Sequence, residues 1–178
     1  MTERKKSHKI KIAKGLTPVE IIGIGITKEI NSEAFYRAFA KRVTNRVVKK
    51  RILNIAEEEA EHREMLKGIF SEMTGEKGIT PNRYMQKKPV ITEKILKLSH
   101  QEILKKAIDM EDESIRLYQE GYRYVKSESV RKILSYLIDF EKGHKETLTQ
   151  ELRLLTKEPD WFDTAGSSEW LGQMFMGP

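Results

Sequence analysis

Apolar residues recur three and four positions apart along most of this chain, and the recurrence breaks at a few short polar or Pro/Gly-containing stretches. The first run opens at Thr17-Pro18-Val19-Glu20. Thr17 suits a helix cap, Pro18 suits the first helical position where no N–H is needed, and Glu20 completes a capping box. From there to about Val43, the residues Ile22, Ile26, Ile30 and Ala34, with Val19, Phe35 and Phe39 alongside, predict one helix with a broad buried stripe. Asn45 is the next cap. The second predicted helix, Arg46 to about Thr74 with Gly75 as its stop, therefore doubles back antiparallel to the first. Residues 75–98 contain Gly75, Gly78, Pro81 and Pro89 and read as a long connection with one short helix near Thr92 to Leu98. Such a connection can cross the length of a bundle and leave the second and third helices parallel. Ser99 and Glu102 form a second capping box, the third helix runs to about Lys126, Ser127 caps the fourth, and Pro159 ends it after about Lys157. The pattern predicts an all-α chain of four long helices.

The two halves of this pattern are copies. Adding 82 to a position carries Glu29 to Glu111, Glu59 to Glu141 and His62 to His144, and also Ile21 to Ile103, Tyr36 to Tyr118 and Leu66 to Leu148. This is a duplicated helical hairpin, with too few copies for a solenoid. Within each half, the Glu and His of Glu59-Ala60-Glu61-His62 and of Glu141-Lys142-Gly143-His144 lie three apart, on one helix face. The heights also match. At about 1.5 Å rise per residue, Glu29 lies roughly 22 Å from the first turn, and Glu59 and His62 roughly 20 and 24 Å from it.

Composition narrows the field little further. With 38% apolar and 34% charged residues, a chain of 178 residues suits a helix-rich protein with a proper core. The net charge of +6 suggests an anionic partner until it is located: Arg4, Lys5, Lys6, Lys9, Lys11 and Lys14 face only Glu3 in the first fifteen residues. Residues 1–16 thus read as a solvated basic tail, and nothing else argues for nucleic acid. Without cysteine there are no disulfides, thiolate metal centres or Cys nucleophiles. No apolar run is long enough for a membrane span, and the N-terminus lacks the apolar core of a signal peptide, so a cytoplasmic protein is expected. Residues 158–178, with Trp161, Phe162, Trp170, Leu171, Met174, Phe175 and Met176, are irregular; they dock on the bundle, join a dimer interface or address a partner.

Four carboxylates and two imidazoles inside a bundle suit iron or manganese. In the expected arrangement over residues 17–157, a ferritin-like bundle, Glu59 and Glu141 bridge two ions, Glu29 and Glu111 are terminal, and His62 and His144 each close one. Tyr36 and Tyr118 fall near the face of the terminal carboxylates and suit hydrogen bonds to the opposite ones, although ordinary core tyrosines would look the same. Glu57 and Asp139, another repeat pair, either orient the histidines or lie on a solvated face; the rest of the acidic run around Glu58 reads as solvated. His8 and His100 fall in the tail and a cap and are expected to bind nothing.

At Glu29…Tyr36, Glu59-x-x-His62, Glu111…Tyr118 and Glu141-x-x-His144, the chain resembles the rubrerythrin and ferritin-like di-iron family. The resemblance covers about residues 17–157. It implies two iron ions held by Glu29, Glu59, His62, Glu111, Glu141 and His144, with manganese accepting the same ligands, and an oxidoreductase that reduces peroxide or dioxygen in oxidative-stress defence. It also implies an external electron donor such as a rubredoxin-like protein, because the Cys-rich donor domain typical of rubrerythrins has no counterpart in these residues, and a homodimer. Ferroxidase or iron handling, manganese catalase chemistry and oxygenation are alternatives within the fold; a non-enzymatic interaction bundle is the alternative outside it. The chain departs from the family at Ser114, matched by Ser32, where rubrerythrins carry an extra carboxylate one turn after the third helix's ligand. A more symmetric site is the expectation.

Overall fold

The computed structural model describes residues 16–76 and 97–164. Four helices account for nearly all of them: α1 (Pro18–Ala40), α2 (Arg46–Thr74), α3 (His100–Tyr124) and α4 (Glu128–Lys157). Both capping boxes form, Thr17 with Glu20 and Ser99 with Glu102. Asn45 accepts from the N–H groups of Val47 and Val48, and Ser127 caps α4. Gly75 closes α2 in the left-handed conformation, φ 74°, which only glycine adopts without strain.

Two helices end earlier than their apolar patterns suggest. α1 stops at Ala40, after which Arg42 and Val43 bond to the carbonyls of Phe39 and Ala40 in a tighter final turn. α3 stops at Tyr124 because Val125 turns extended, φ −72° and ψ 132°, to deliver Ser127 to its capping position. The stripe on α1 is also displaced from the reading through Ile30 and Ala34. Those two are only partly buried, whereas Ile22, Ile26, Glu29, Ser32, Phe35, Tyr36 and Phe39 face inward. A buried glutamate at the centre of an apolar stripe is what shifts it.

Packing fixes the directions. Within each hairpin the helices are antiparallel neighbours. Across the hairpins, Lys28 meets Glu113 and Phe39 meets His100, so α1 opposes α3; Arg51 meets Glu151 and Glu58 meets His144, so α2 opposes α4. It follows that α2 and α3 run parallel, as the long connection between them requires. α1 and α3 approach closely at two glycines. A Cβ on Gly25 would lie 3.0 Å from Tyr118 Cε1, and one on Gly121 would lie 3.0 Å from Ile21 Cγ2.

The core is divided in two. One apolar cluster, with Phe35, Phe39, Ile52, Leu104 and Leu148, fills the end near the α1–α2 turn, and another, with Ile22, Ile26, Leu66, Tyr118 and Leu134, fills the opposite end. Between them lies a buried polar layer of Glu29, Ser32, Glu59, His62, Glu111, Ser114, Glu141 and His144. Beyond α4, Trp161 and Phe162 dock on the bundle. The Phe162 carbonyl accepts from the N–H groups of Thr44 and Asn45, the Trp161 carbonyl accepts from Asn45 Nδ2, and Trp161 Nε1 donates to the buried Glu151 at 2.9 Å. His100 packs its ring on Phe162, and its Nε2 lies 3.3 Å from the Arg42 carbonyl. The basic tail with His8, residues 92–96 of the short helix expected in the connection, and Trp170 to Met176 lie outside the described residues.

Candidate metal centre

The polar layer takes its geometry from the helix periods. Glu59 and His62 on α2, and Glu141 and His144 on α4, project one turn apart into the axis of the bundle, while Glu29 and Glu111 come from mid-height on α1 and α3. The six side chains form two groups that share a pair: Glu29, Glu59, His62 and Glu141 in one, and Glu59, Glu111, Glu141 and His144 in the other. Within each group one ligand atom per residue lies within 4.8 Å of all the others. His62 Nδ1 is 3.5 Å from Glu59 and 3.4 Å from Glu141, and His144 Nδ1 is 3.4 Å from Glu59 and 3.6 Å from Glu141. The imidazole rings stack at 5.6 Å.

Polar groups buried this deeply normally find hydrogen-bond partners. Here both oxygens of Glu29, Glu59 and Glu141, both ring nitrogens of His62, and Nδ1 of His144 make none. Hard carboxylate oxygens with imidazole nitrogens, convergent and otherwise unsatisfied, are the donor set for a pair of divalent ions such as iron or manganese, so the residues present fit such a pair.

The electrostatics of the metal-free layer follow from crowding. Burial first, then the neighbouring carboxylates, push Glu29 and Glu111 well above the usual carboxylate range, toward the neutral acid. Burial and Glu141 also push Glu59 up, but the acid of Glu29 and the imidazoles of His144 and His62 outweigh them and hold it down. Glu141 is held far down in the same way, against its burial, by Glu111, His144 and His62. Burial opposes charge on the histidines, yet the carboxylates win: His62 rises to about 9 under Glu141 and Glu59, and His144 to about 12 under Glu141, Glu58 and Glu59. The two lowered carboxylates, Glu59 and Glu141, thus face two imidazoles held toward their charged form.

A pH dependence follows. Glu29, Glu111, His62 and His144 all bind protons more tightly in the folded than in the unfolded chain. Stability from the histidines is complete below about pH 6.5 and is lost as pH rises, through about 9 for His62 and about 12 for His144; the raised carboxyls lose theirs in the same direction. Glu59 and Glu141 act oppositely, but only below the ordinary carboxylate range. The melting midpoint of the metal-free protein is expected to be about 5–10 °C lower at pH 9 than at pH 6.5 by calorimetry.

What surrounds the six was partly hidden in the sequence. Tyr36 donates to Glu111, but Tyr118 is buried with its hydroxyl unbonded. Neither Glu57 nor Asp139 orients a histidine: Glu57 is exposed, and Asp139 faces outward and pairs with Lys142. The residue that does is Glu58, 2.7 Å from His144 Nε2. Its repeat counterpart is Phe140, whose ring stands edge-on to His62 at 5.4 Å. The repeat therefore relates the six polar side chains and does not extend to the groups that surround them. A groove of about 450 Å³ between α2 and α4, lined by Arg51, Glu58, Phe140, Gly143 and His144 among others, reaches the layer from outside.

Comparison with known proteins places this arrangement. In solved structures, a hypothetical protein from Pyrococcus furiosus is 28% identical, with a TM-score of 0.68 over 80% of this chain and 92% of that one. A dodecameric thioferritin, the bacterioferritin-related protein of Bacteroides fragilis, is 16% identical with a TM-score of 0.64 over 82% and 89%, a likeness of fold. No curated protein matches the chain. No helix among the described residues is long and apolar enough to cross a membrane. The rubrerythrin profile matches residues 20–152, a span that begins in the first capping box, ends near the close of α4 and takes in all six residues of the polar layer; the chain belongs to the rubrerythrin family.

Proposed function

We propose that this chain is a di-iron oxidoreductase that reduces hydrogen peroxide, or dioxygen, in defence against oxidative stress. The observation that supports the reading is the sharing of Glu59 and Glu141 between two convergent buried groups, the arrangement a pair of ions would use. A bound pair of iron ions supplies two electrons to one oxidant molecule in a single encounter. Glu59 and Glu141 hold the two positions together, Glu29 and His62 complete one, and Glu111 and His144 complete the other. The apolar clusters above and below keep bulk water from the layer. The α2–α4 groove admits a molecule as small as peroxide to the His144 side.

Converting peroxide to two waters consumes two electrons and two protons. An external donor, of the rubredoxin-like kind, returns the electrons in this reading, since these residues offer no cysteine to hold a thiolate-ligated iron centre. A cytoplasmic homodimer completes the reading, and manganese suits the same six residues.

The test is metal content of protein purified without added metal, then peroxide consumption after anaerobic loading with ferrous iron. Two ions per chain, and one peroxide consumed for each pair of ferrous ions, is the expected result. Reaction with dioxygen alone would replace it with ferroxidase chemistry, and peroxide disproportionation by bound manganese with a catalase. Failure to bind metal on reconstitution would leave a helical interaction bundle.

A further inference from the structure

The six polar residues obey the 82-residue repeat, and the groups that hold them do not. Around Glu111 and His144 the outer contacts are made. Tyr36 donates its hydroxyl to Glu111, and Glu58 lies 2.7 Å from His144 Nε2 while Nδ1 faces Glu59 and Glu141. Around Glu29 and His62 the corresponding contacts are missing among the described residues. Phe140 stands where the repeat would put a second Glu58, and His62 Nε2 makes no hydrogen bond. Tyr118 stands where it would put a second Tyr36, but its ring lies against Gly25 and its hydroxyl is unbonded, as are both oxygens of Glu29.

An imidazole ligates through a nitrogen that has no proton. For Nδ1 to face an ion, the proton must sit on Nε2, and an acceptor at Nε2 fixes both that tautomer and the plane of the ring. His144 has such an acceptor in Glu58. His62 has a hydrocarbon ring in its place.

We infer that the two ion positions are unequal: the one completed by Glu111 and His144 holds its ion fast, the one completed by Glu29 and His62 exchanges it, and Glu58 is the positioning residue that sets the difference. The inference rests on the dinuclear reading above. Exposure works against it, because Glu58 and His144 line the groove and an ion there lies nearer to water. Outer hydrogen bonding decides the order, since loss of one such partner typically costs about 10–100-fold in affinity.

The experiment isolates each position. His62→Ala leaves the Glu111–His144 position complete, His144→Ala leaves the Glu29–His62 position complete, and each protein is titrated anaerobically with Mn(II), followed by calorimetry and electron paramagnetic resonance. His62→Ala is expected to bind one ion at least about 10-fold more tightly than His144→Ala does. Adding Glu58→Ala should weaken binding about 10–100-fold in the first protein and leave the second nearly unchanged. Glu58→Gln, whose amide oxygen still accepts from Nε2, should restore most of the loss, which a merely structural role for Glu58 would not produce. Phe140→Glu, at a partly exposed position, should tighten the second protein. Equal affinities, or the reverse order, with Glu58→Ala silent in both, would overturn this inference and leave the dinuclear reading standing. If the unsubstituted protein binds no ion, both fall together.

Discussion

Replacing Glu141 with alanine is expected to take the metal content from two ions per chain to none, whereas replacing Glu29 or Glu111 is expected to leave one. Glu141 and Glu59 belong to both convergent groups, and Glu29 and Glu111 to one each. Removing a shared carboxylate therefore strips a charged ligand from two positions at once. It also removes the anion that lets two divalent ions sit close together. Loss of a charged ligand on the order of 4 kcal/mol corresponds to about 10³-fold in affinity, enough to empty a site at micromolar metal. Metal analysis after gel filtration reads the difference directly, and peroxide consumption should fall to that of the solution. The alternative arrangement, two separate mononuclear sites, predicts that each of the four glutamates costs one ion. An equal loss for Glu141→Ala and Glu29→Ala would therefore remove the dinuclear reading.

The same residue tests the charge balance of the metal-free layer. Glu141 is held far below its ordinary range by Glu111, His144 and His62 despite its burial. Without it, both imidazoles lose the carboxylate that does most to hold them charged. Breaking a buried pair by removing one partner costs about 3–5 kcal/mol, so metal-free Glu141→Ala should melt well below the parent protein.

How much of this could be seen in advance depended on symmetry. The repeat picked out Glu29, Glu59, His62, Glu111, Glu141 and His144 because each has its counterpart, and the capping boxes and Asn45 placed three helix starts to the residue. The same filter hid Glu58. Its counterpart is Phe140, so a search by symmetry passed over it in favour of Glu57 and Asp139, which do correspond and both face solvent. A residue one position before a shared inward carboxylate turns toward the neighbouring helix, and here that helix carries His144. Knowing that α4 opposes α2 would have been enough to find it. Glu151 was hidden for a different reason. Its burial depends on Arg51 of α2 and on Trp161 from beyond α4, contacts that only the assembled bundle supplies.

Glu29→Met should have the opposite effect on the metal-free fold from Glu141→Ala, although both remove a buried glutamate of the same layer. Glu29 is fully buried, neither oxygen makes a hydrogen bond, and burial with the nearby Glu59, Glu141 and Glu111 carboxylates keeps it protonated. Its neutral form is therefore favoured without metal, and a neutral side chain of similar volume keeps that charge state. What disappears is the cost of burying two oxygens that make no hydrogen bond, about 1–3 kcal/mol, offset in part by loss of the acid that helps hold Glu59 down. Methionine's unbranched chain fills the same irregular space with little strain. The metal-free Glu29→Met protein should thus melt about 3–8 °C above the parent, and the gain should grow as pH rises, because a raised carboxyl loses its contribution to stability in that direction. Metal reverses the order. Loaded with two divalent ions, the parent gains binding free energy that Glu29→Met, with one position incomplete, receives only in part. Calorimetry of both proteins with and without metal decides the matter. A lower midpoint for metal-free Glu29→Met would mean that Glu29 serves the fold. A higher one, with the order inverted by metal, would mean that the bundle tolerates a destabilising carboxylate at mid-core because an ion requires it there.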